Sequence, residues 1–223
     1  MTSADVTTTQ LVSPNVNQLS VETTLPIFWV DLGSFQNELR LAREAINELR
    51  VSHPDNTPSN VNSVYMSPWK SHRLNPKLMP LCDLVVGFAK RASLEHLNTN
   101  LERLNWGLQV TDCWGAVYEE ADHTIAHSHF PSDFSGVVYL EADEDCAPII
   151  FSNRLLVRPQ PNMLIMFPGL LVHSVPENHG KRMIVAMNLH KFPDFSSSAP
   201  PAAASPAEEA PQAAPAPEPT ATQ

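Results

Sequence analysis

The chain has 223 residues, and 24 acidic against 14 basic side chains give a formal net charge of −10, which disfavours broad electrostatic capture of nucleic acid. No apolar run approaches the ~20 residues of a membrane span, and the first residues lack the apolar stretch of a signal peptide. Three widely spaced cysteines (Cys82, Cys113 and Cys146) fit reduced thiols in a cytoplasmic protein better than a disulfide framework.

Residues 1–24 are polar and carry no aromatic side chain, so they read as a flexible segment. Pro26 to Val30 reads as a first strand. Ser34 offers an N-cap, and Phe35, Leu39, Ala42, Ile46 and Leu49 then recur at steps of four and three, the apolar stripe of an amphipathic helix. A Pro-, Asn- and Ser-rich loop runs from Ser52 to Asn62. A second helix is expected from about Pro76 to Arg91, with Leu81, Leu84, Val85 and Phe88 inward. A third short helix is expected to hold Leu94, Leu97, Leu101 and Leu104.

From Trp106 the pattern changes to short runs of β-branched and aromatic residues. Strands are expected at Gly107–Val110, Cys113–Tyr118, Thr124–His129, Gly136–Leu140, Pro148–Ser152, Met163–Phe167, Leu171–Val175 and Arg182–Leu189. A few helices followed by some eight strands point to an α+β domain built on an antiparallel sandwich or jelly roll over residues 25–195. Residues 196–223 are almost only Ala, Pro, Ser, Thr, Glu and Gln. They bury too little apolar surface to offset their ordering entropy, and read as a disordered tail.

The chemistry concentrates in two places. His127 and His129 flank Ser128, and alternate residues of an extended strand share a face, so both imidazoles can bind one ion. Alone, the pair has an equally plain explanation, one histidine buried and hydrogen-bonded and the other solvated. His173 follows the apolar run Met163–Phe167 and the turn Pro168-Gly169, where a desolvated imidazole needs a partner that a metal supplies. Arg182 opens the apolar run Met183–Met187. A guanidinium buried there requires an anion, and its fork suits a carboxylate. A mononuclear metal site with an anion clamp beside it is the reading these four residues support. His123 falls outside the alternation and reads as loop, and His179 as an exposed turn. His53, His72, His96 and His190 default to solvated or structural roles.

Five stretches in chain order resemble the iron(II)/2-oxoglutarate dioxygenases of the prolyl-hydroxylase-like type. They are similar above all to the oxygenases frequent in bacteriophage and marine bacterial genomes. These stretches are Pro68-Trp69-Lys70-Ser71-His72, His127-Ser128-His129-Phe130-Pro131, Ser135 to Leu140, Phe167 to Val175, and Arg182 to Asn188. The resemblance implies a double-stranded β-helix with two or three helices before it. It implies iron(II) held by His127, His129 and His173, 2-oxoglutarate held by Arg182 and Tyr139, and O₂ as second cosubstrate. Trp114 and Asn188 fall at the pocket mouth as candidate substrate contacts, and either reads as readily as core. The family at large has a carboxylate where His129 stands, so Asp133 is an alternative oxygen ligand. Many members also have Ser where this chain has Ile184.

Hydroxylation of a substrate, with release of succinate and CO₂, is the implied reaction. The substrate stays open between a protein side chain and a small molecule, with nucleic acid disfavoured. Two rivals stand beside this reading. One is a cupin-type metal protein, an isomerase or a dioxygenase without 2-oxoglutarate, which has no use for Arg182 in its pocket. The other is a non-catalytic β-sandwich scaffold, in which the imidazoles have no reason to converge.

Overall fold

A computed structural model of the protein describes residues 23–196. The two terminal segments read from composition as flexible lie outside the described residues, apart from Thr23, Thr24 and Ser196. In chain order the elements are β1 (Phe28–Asp31), α1 (Gln36–Ser52), β2 (Val61–Asn62), β3 (Tyr65–Met66), α2 (Ser71–Leu74) and α3 (Met79–His96). The strands β4 (Trp106–Tyr118), β5 (His123–His127), β6 (Phe134–Ala142) and β7 (Ile149–Phe151) follow. Then come β8 (Leu155–Val157), β9 (Met163–Pro168), β10 (His173–Val175) and β11 (Arg182–Pro193).

The strands pair antiparallel into two sheets, β1-β9-β6-β11-β4-β3 and β2-β5-β10-β7-β8, the jelly-roll arrangement expected from the sequence. Period-two alternation sorts their side chains. Trp114, Ala116, Tyr118, Val137, Tyr139, Ile184 and Ala186 point between the sheets, where they meet Ile149, Phe151 and Val175. The intervening residues Val117, Val138, Leu140, Met183, Val185 and Met187 point the other way, and they bury Leu39, Ile46 and Leu49 of α1 with Leu81 and Val85 of α3. Each central strand of the larger sheet is thus covered on both faces, which is why it reads as a continuous apolar run.

The structure corrects several local expectations. The helix α1 begins at Gln36 with Phe35 at the N-cap, and no side chain caps it, so Ser34 does not serve. The turn is closed instead by Phe35 N donating to Leu32 O and by Gly33 N donating to Asp31 Oδ1. The third helix does not form. Helix α3 continues to His96, Leu94 and Leu97 are exposed, and Leu104 sits in a single 3₁₀ turn, while only Leu101 is buried. Asn98 and Asn105 take left-handed backbone angles (φ 48° and 54°) that interrupt any helix spanning these leucines. The two strands expected at Gly107–Val110 and Cys113–Tyr118 are one, β4. Its partner register steps from Asn188↔Asp112 to Leu189↔Val110, so Thr111 is the extra residue of a bulge and not a turn. The short elements β2, β3, β8 and α2 had no periodic signal, being two to four residues long.

Candidate functional site

The site begins with a register. His173 of β10 lies directly across from His127 of β5 in the smaller sheet, so both imidazoles rise from one cross-strand pair. Strand β5 stops at His127, two residues short of the expected His129, so alternation alone does not place His129. Its backbone N–H donates to Gly169 O at 2.7 Å, and Ser132 N donates back to His129 O at 2.8 Å. The turn after β9 therefore carries the loop that brings His129 to the other two. One nitrogen from each of the three rings lies within 4.8 Å of the others.

Two of the three tautomers are fixed by what the rings meet. His127 Nδ1 lies 2.8 Å from Ile125 O, and His173 Nδ1 lies 3.1 Å from Leu171 O. A carbonyl can only accept, so Nδ1 carries the proton in both rings and Nε2 keeps its lone pair for a metal. Burial, reinforced by the neighbouring His173 and His127, pushes the His129 pKa down to about 3. Burial and His127 push that of His173 down to about 4. The pocket thus favours neutral imidazole, the form that ligates.

These shifts set a pH dependence for the metal-free protein. Unfolded imidazoles protonate near 6.5, whereas folded His173 and His129 resist until about 4 and about 3. Between those values the unfolded chain binds more protons, so stability falls as pH drops through the window. The melting temperature of the metal-free protein is expected to decline from about pH 6.5 toward pH 4. The decline should be shallower in His129→Leu, and an equally steep one there would assign the effect elsewhere.

Gly169 is a second lever on the same geometry. A Cβ at this position would run into the backbone carbonyl of Ser132, which cannot rotate away as a side chain would. Gly169→Ala should push the β9–β10 turn off the His129 loop, costing roughly 1–3 kcal/mol of stability and about ten-fold or more in metal affinity, the range seen when a ligand loses its support. Calorimetric unfolding and anaerobic metal titration would measure both, and unchanged metal affinity would show that the turn does not set His129.

Arg182 opens β11 opposite Tyr118 of β4 and is 2% exposed. Its Nη1 donates to Ala147 O at 3.2 Å, its guanidinium carbon lies 3.9 Å above the Tyr118 ring, and Nε has no partner. No carboxylate pairs with it among the described residues. A buried cation with an orphaned donor calls for an anion. It faces a narrow chamber of about 40 Å³ that it shares with His127, His129, His173 and Tyr139. Burial pushes the Tyr139 hydroxyl up to about 12, so it remains a proton-bearing donor.

A separate outer cleft of about 370 Å³ meets the chamber at His127, His129 and Trp114. Trp69, Asp112, Asn188 and His190 also line it. Asn188 is held by Ser135 Oγ at 3.0 Å and donates to Asp112 Oδ2 at 3.4 Å. Trp114 and Asn188 are both core-buried, at 3% and 8% exposure, and cleft-lining, so the two readings of each are compatible. Asp133 is not with the histidines: its oxygens take Lys191 N at 2.7 Å and Lys191 Nζ at 2.9 Å.

Sequence reasoning missed three residues here. Tyr118 and Thr124 line the chamber, with hydroxyls 2.9 Å apart; the alternation Trp114-Ala116-Tyr118 could have found the first. His190 has a partner after all, Ser132 Oγ at 3.0 Å, on the cleft wall.

No protein-family model and no curated protein sequence matches the chain. Solved structures do. The chain is similar to a prolyl hydroxylase from Trichoplax adhaerens in complex with a peptide fragment of the hypoxia-inducible-factor oxygen degradation domain. The TM-score is 0.55 at 16% identity, covering 74% of this chain and 83% of that one. A Pseudomonas putida prolyl-4-hydroxylase gives a TM-score of 0.53 at 12% identity, over 75% and 94% of the two chains. The non-heme α-ketoglutarate-dependent carbocyclase SnoK from nogalamycin biosynthesis gives 0.57 at 12%, over 73% and 78%. At these identities the likeness establishes the jelly-roll fold.

Proposed function

We propose that the protein is an iron(II)- and 2-oxoglutarate-dependent oxygenase, with His127, His129 and His173 as the iron ligands and Arg182 and Tyr139 as the cosubstrate clamp. The observation that carries this reading is the buried, acid-less guanidinium sharing one chamber with three converging imidazoles. The donor set fits iron(II), since two of the rings are held with Nε2 free and burial keeps His129 and His173 neutral. A dicarboxylate fits the remainder: Arg182 offers Nε and Tyr139 its hydroxyl at the inner end, away from the cleft.

Iron(II) with 2-oxoglutarate and O₂, when bound, supplies an oxidant for a substrate C–H bond, with succinate and CO₂ as co-products. The chain's own contribution is placement. Arg182 and Tyr139 orient the dicarboxylate from the inner end. Phe151 and Phe167, packed at 6.0 and 4.8 Å from the His173 ring, exclude water behind the ligands. The substrate enters by the outer cleft, where Trp114 and Asn188 meet it. Hydroxylation of a protein side chain or a small molecule is the outcome we favour, and the peptide held by the Trichoplax hydroxylase makes the first of these reasonable. The finer likeness to bacteriophage and marine bacterial oxygenases rests on the sequence motifs alone.

A cupin-type site would leave Arg182 without purpose, and a scaffold would leave the convergence of three imidazoles without cause. The test is an anaerobic titration with iron(II) followed by 2-oxoglutarate, watching the visible metal-to-ligand charge-transfer band. A saturating band supports the reading. Iron binding without a band favours the cupin alternative.

A further inference from the structure

We propose that Trp114 and Trp69 form an electron relay from the metal centre to solvent, which discharges an oxidant generated there when no substrate is in place. The proposal rests on the metal-site reading above. Three rings stand in sequence: the Trp114 indole is 5.8 Å from the His129 imidazole and 4.8 Å from the Trp69 indole, centroid to centroid. Trp114 is 3% exposed and Trp69 is 38% exposed at the rim of the cleft, so the series begins at a metal ligand and ends in water.

The spacing is fixed by main chain. Cys113 N donates to Trp69 O at 2.8 Å, and Lys70 bridges Cys113 in parallel, so the loop carrying Trp69 is tied to β4 beside Trp114. The other rings around the ligands cannot compete. Phe151 and Phe167 are phenyl groups, far harder to oxidise than indole. Tyr139 must lose its proton as it loses an electron, and burial holds that proton with a pKa of about 12. An indole can pass its charge onward while keeping its N–H.

The steps balance over two single-electron transfers. Hydrogen peroxide takes two electrons from the metal centre and two protons from solvent and leaves as two waters. Trp114 then gives the centre one electron and becomes a radical cation. Trp69 gives one electron to Trp114 and releases its indole N–H proton to water, and a thiol in solution returns a hydrogen atom to the Trp69 radical. A second passage returns the second electron, the two protons released replace those the peroxide took up, and the two thiyl radicals combine as a disulfide. The effect is to spend a stray oxidant on soluble reductant and spare the ligating imidazoles.

The experiment uses the full chain loaded with iron(II), its iron content measured first. It is treated with hydrogen peroxide, without 2-oxoglutarate, in the presence of a nitroso spin trap, and the adducts are located by peptide mass spectrometry. Trp69 is expected to carry the adduct. Trp29, 68% exposed, and Trp106, 39% exposed, should not; Trp106 lies at the far end of β4, about 25 Å along the strand from Trp114. In Trp114→Phe, with iron still bound, the Trp69 adduct should fall to background. Equal labelling of Trp29 and Trp106 would reveal a diffusing oxidant and overturn the relay. So would labelling of Trp69 that survives in Trp114→Phe, or no labelling at all in iron-loaded protein. A chain that takes up no iron loses the acceptor, and the relay falls together with the metal site. Labelling of Trp69 without succinate formation from 2-oxoglutarate upholds the relay and sinks only the oxygenase reading.

Discussion

His173→Ala is expected to weaken iron(II) binding by at least about 100-fold, because removing mere support of a ligand already costs 10–100-fold and this removes the ligand itself. The position admits no substitute. His173 is 5% exposed, its cross-strand partner is His127, and no carboxylate joins the three-histidine group among the described residues. Iron-dependent succinate formation should be lost with the metal. The fold should survive, since the ring is packed between Phe151 and Phe167 at the end of a three-residue strand and not in the helix-covered core. Anaerobic calorimetric titration, with circular dichroism as the fold control, reads both. Iron affinity within about threefold of the wild type, well short of that cost, would remove His173 from the ligand set.

Arg182→Met separates a functional arginine from a structural one by the sign of its effect on stability. In the free protein the guanidinium is desolvated and compensated only by Ala147 O and the face of Tyr118. Replacing it with an apolar chain of similar length removes a penalty of several kcal/mol, against about 1 kcal/mol for the carbonyl left behind. The metal-free variant should therefore melt at the same temperature or higher. Cosubstrate binding should move the other way. Losing charge-assisted hydrogen bonds to a carboxylate costs roughly 1.5–3 kcal/mol, about ten- to hundred-fold in affinity. The wild type should be stabilised by 2-oxoglutarate in a thermal melt and the variant should not. A variant that melts lower yet binds 2-oxoglutarate as before would make Arg182 a packing residue.

Both of these residues could be read from sequence. Arg182 was conspicuous because a cation opened a run of apolar residues on a strand. His173 stood out likewise, an imidazole after an apolar strand and a Pro-Gly turn. His129 was named for a reason that proved incomplete, since β5 ends before it and the Gly169 carbonyl sets its place. Thr111 fell in the gap between two expected strands, yet it is a bulge within one strand. The leucines from Leu94 to Leu104 kept helical spacing, and Asn98 and Asn105 turned the backbone away from it.

The sequence by itself determined what local periodicity encodes: the buried stripe of α1, the course of the longer strands, and the out-of-place residues His127, His129, His173 and Arg182 that mark the candidate site. Alternation assigns a side chain to a face, and an out-of-place charge or imidazole on a buried face announces its need for a partner. Only the tertiary structure decided which faces meet. Trp69 lies 45 residues before Trp114 and 60 before His129 in the chain, yet its ring packs against Trp114, which packs against His129. Tyr118 reaches Arg182 only through the β4–β11 register, and His127 reaches His173 only through β5–β10. Those pairings follow from how two sheets register and close on each other, an interaction among segments distant in the chain that no window of neighbouring residues contains.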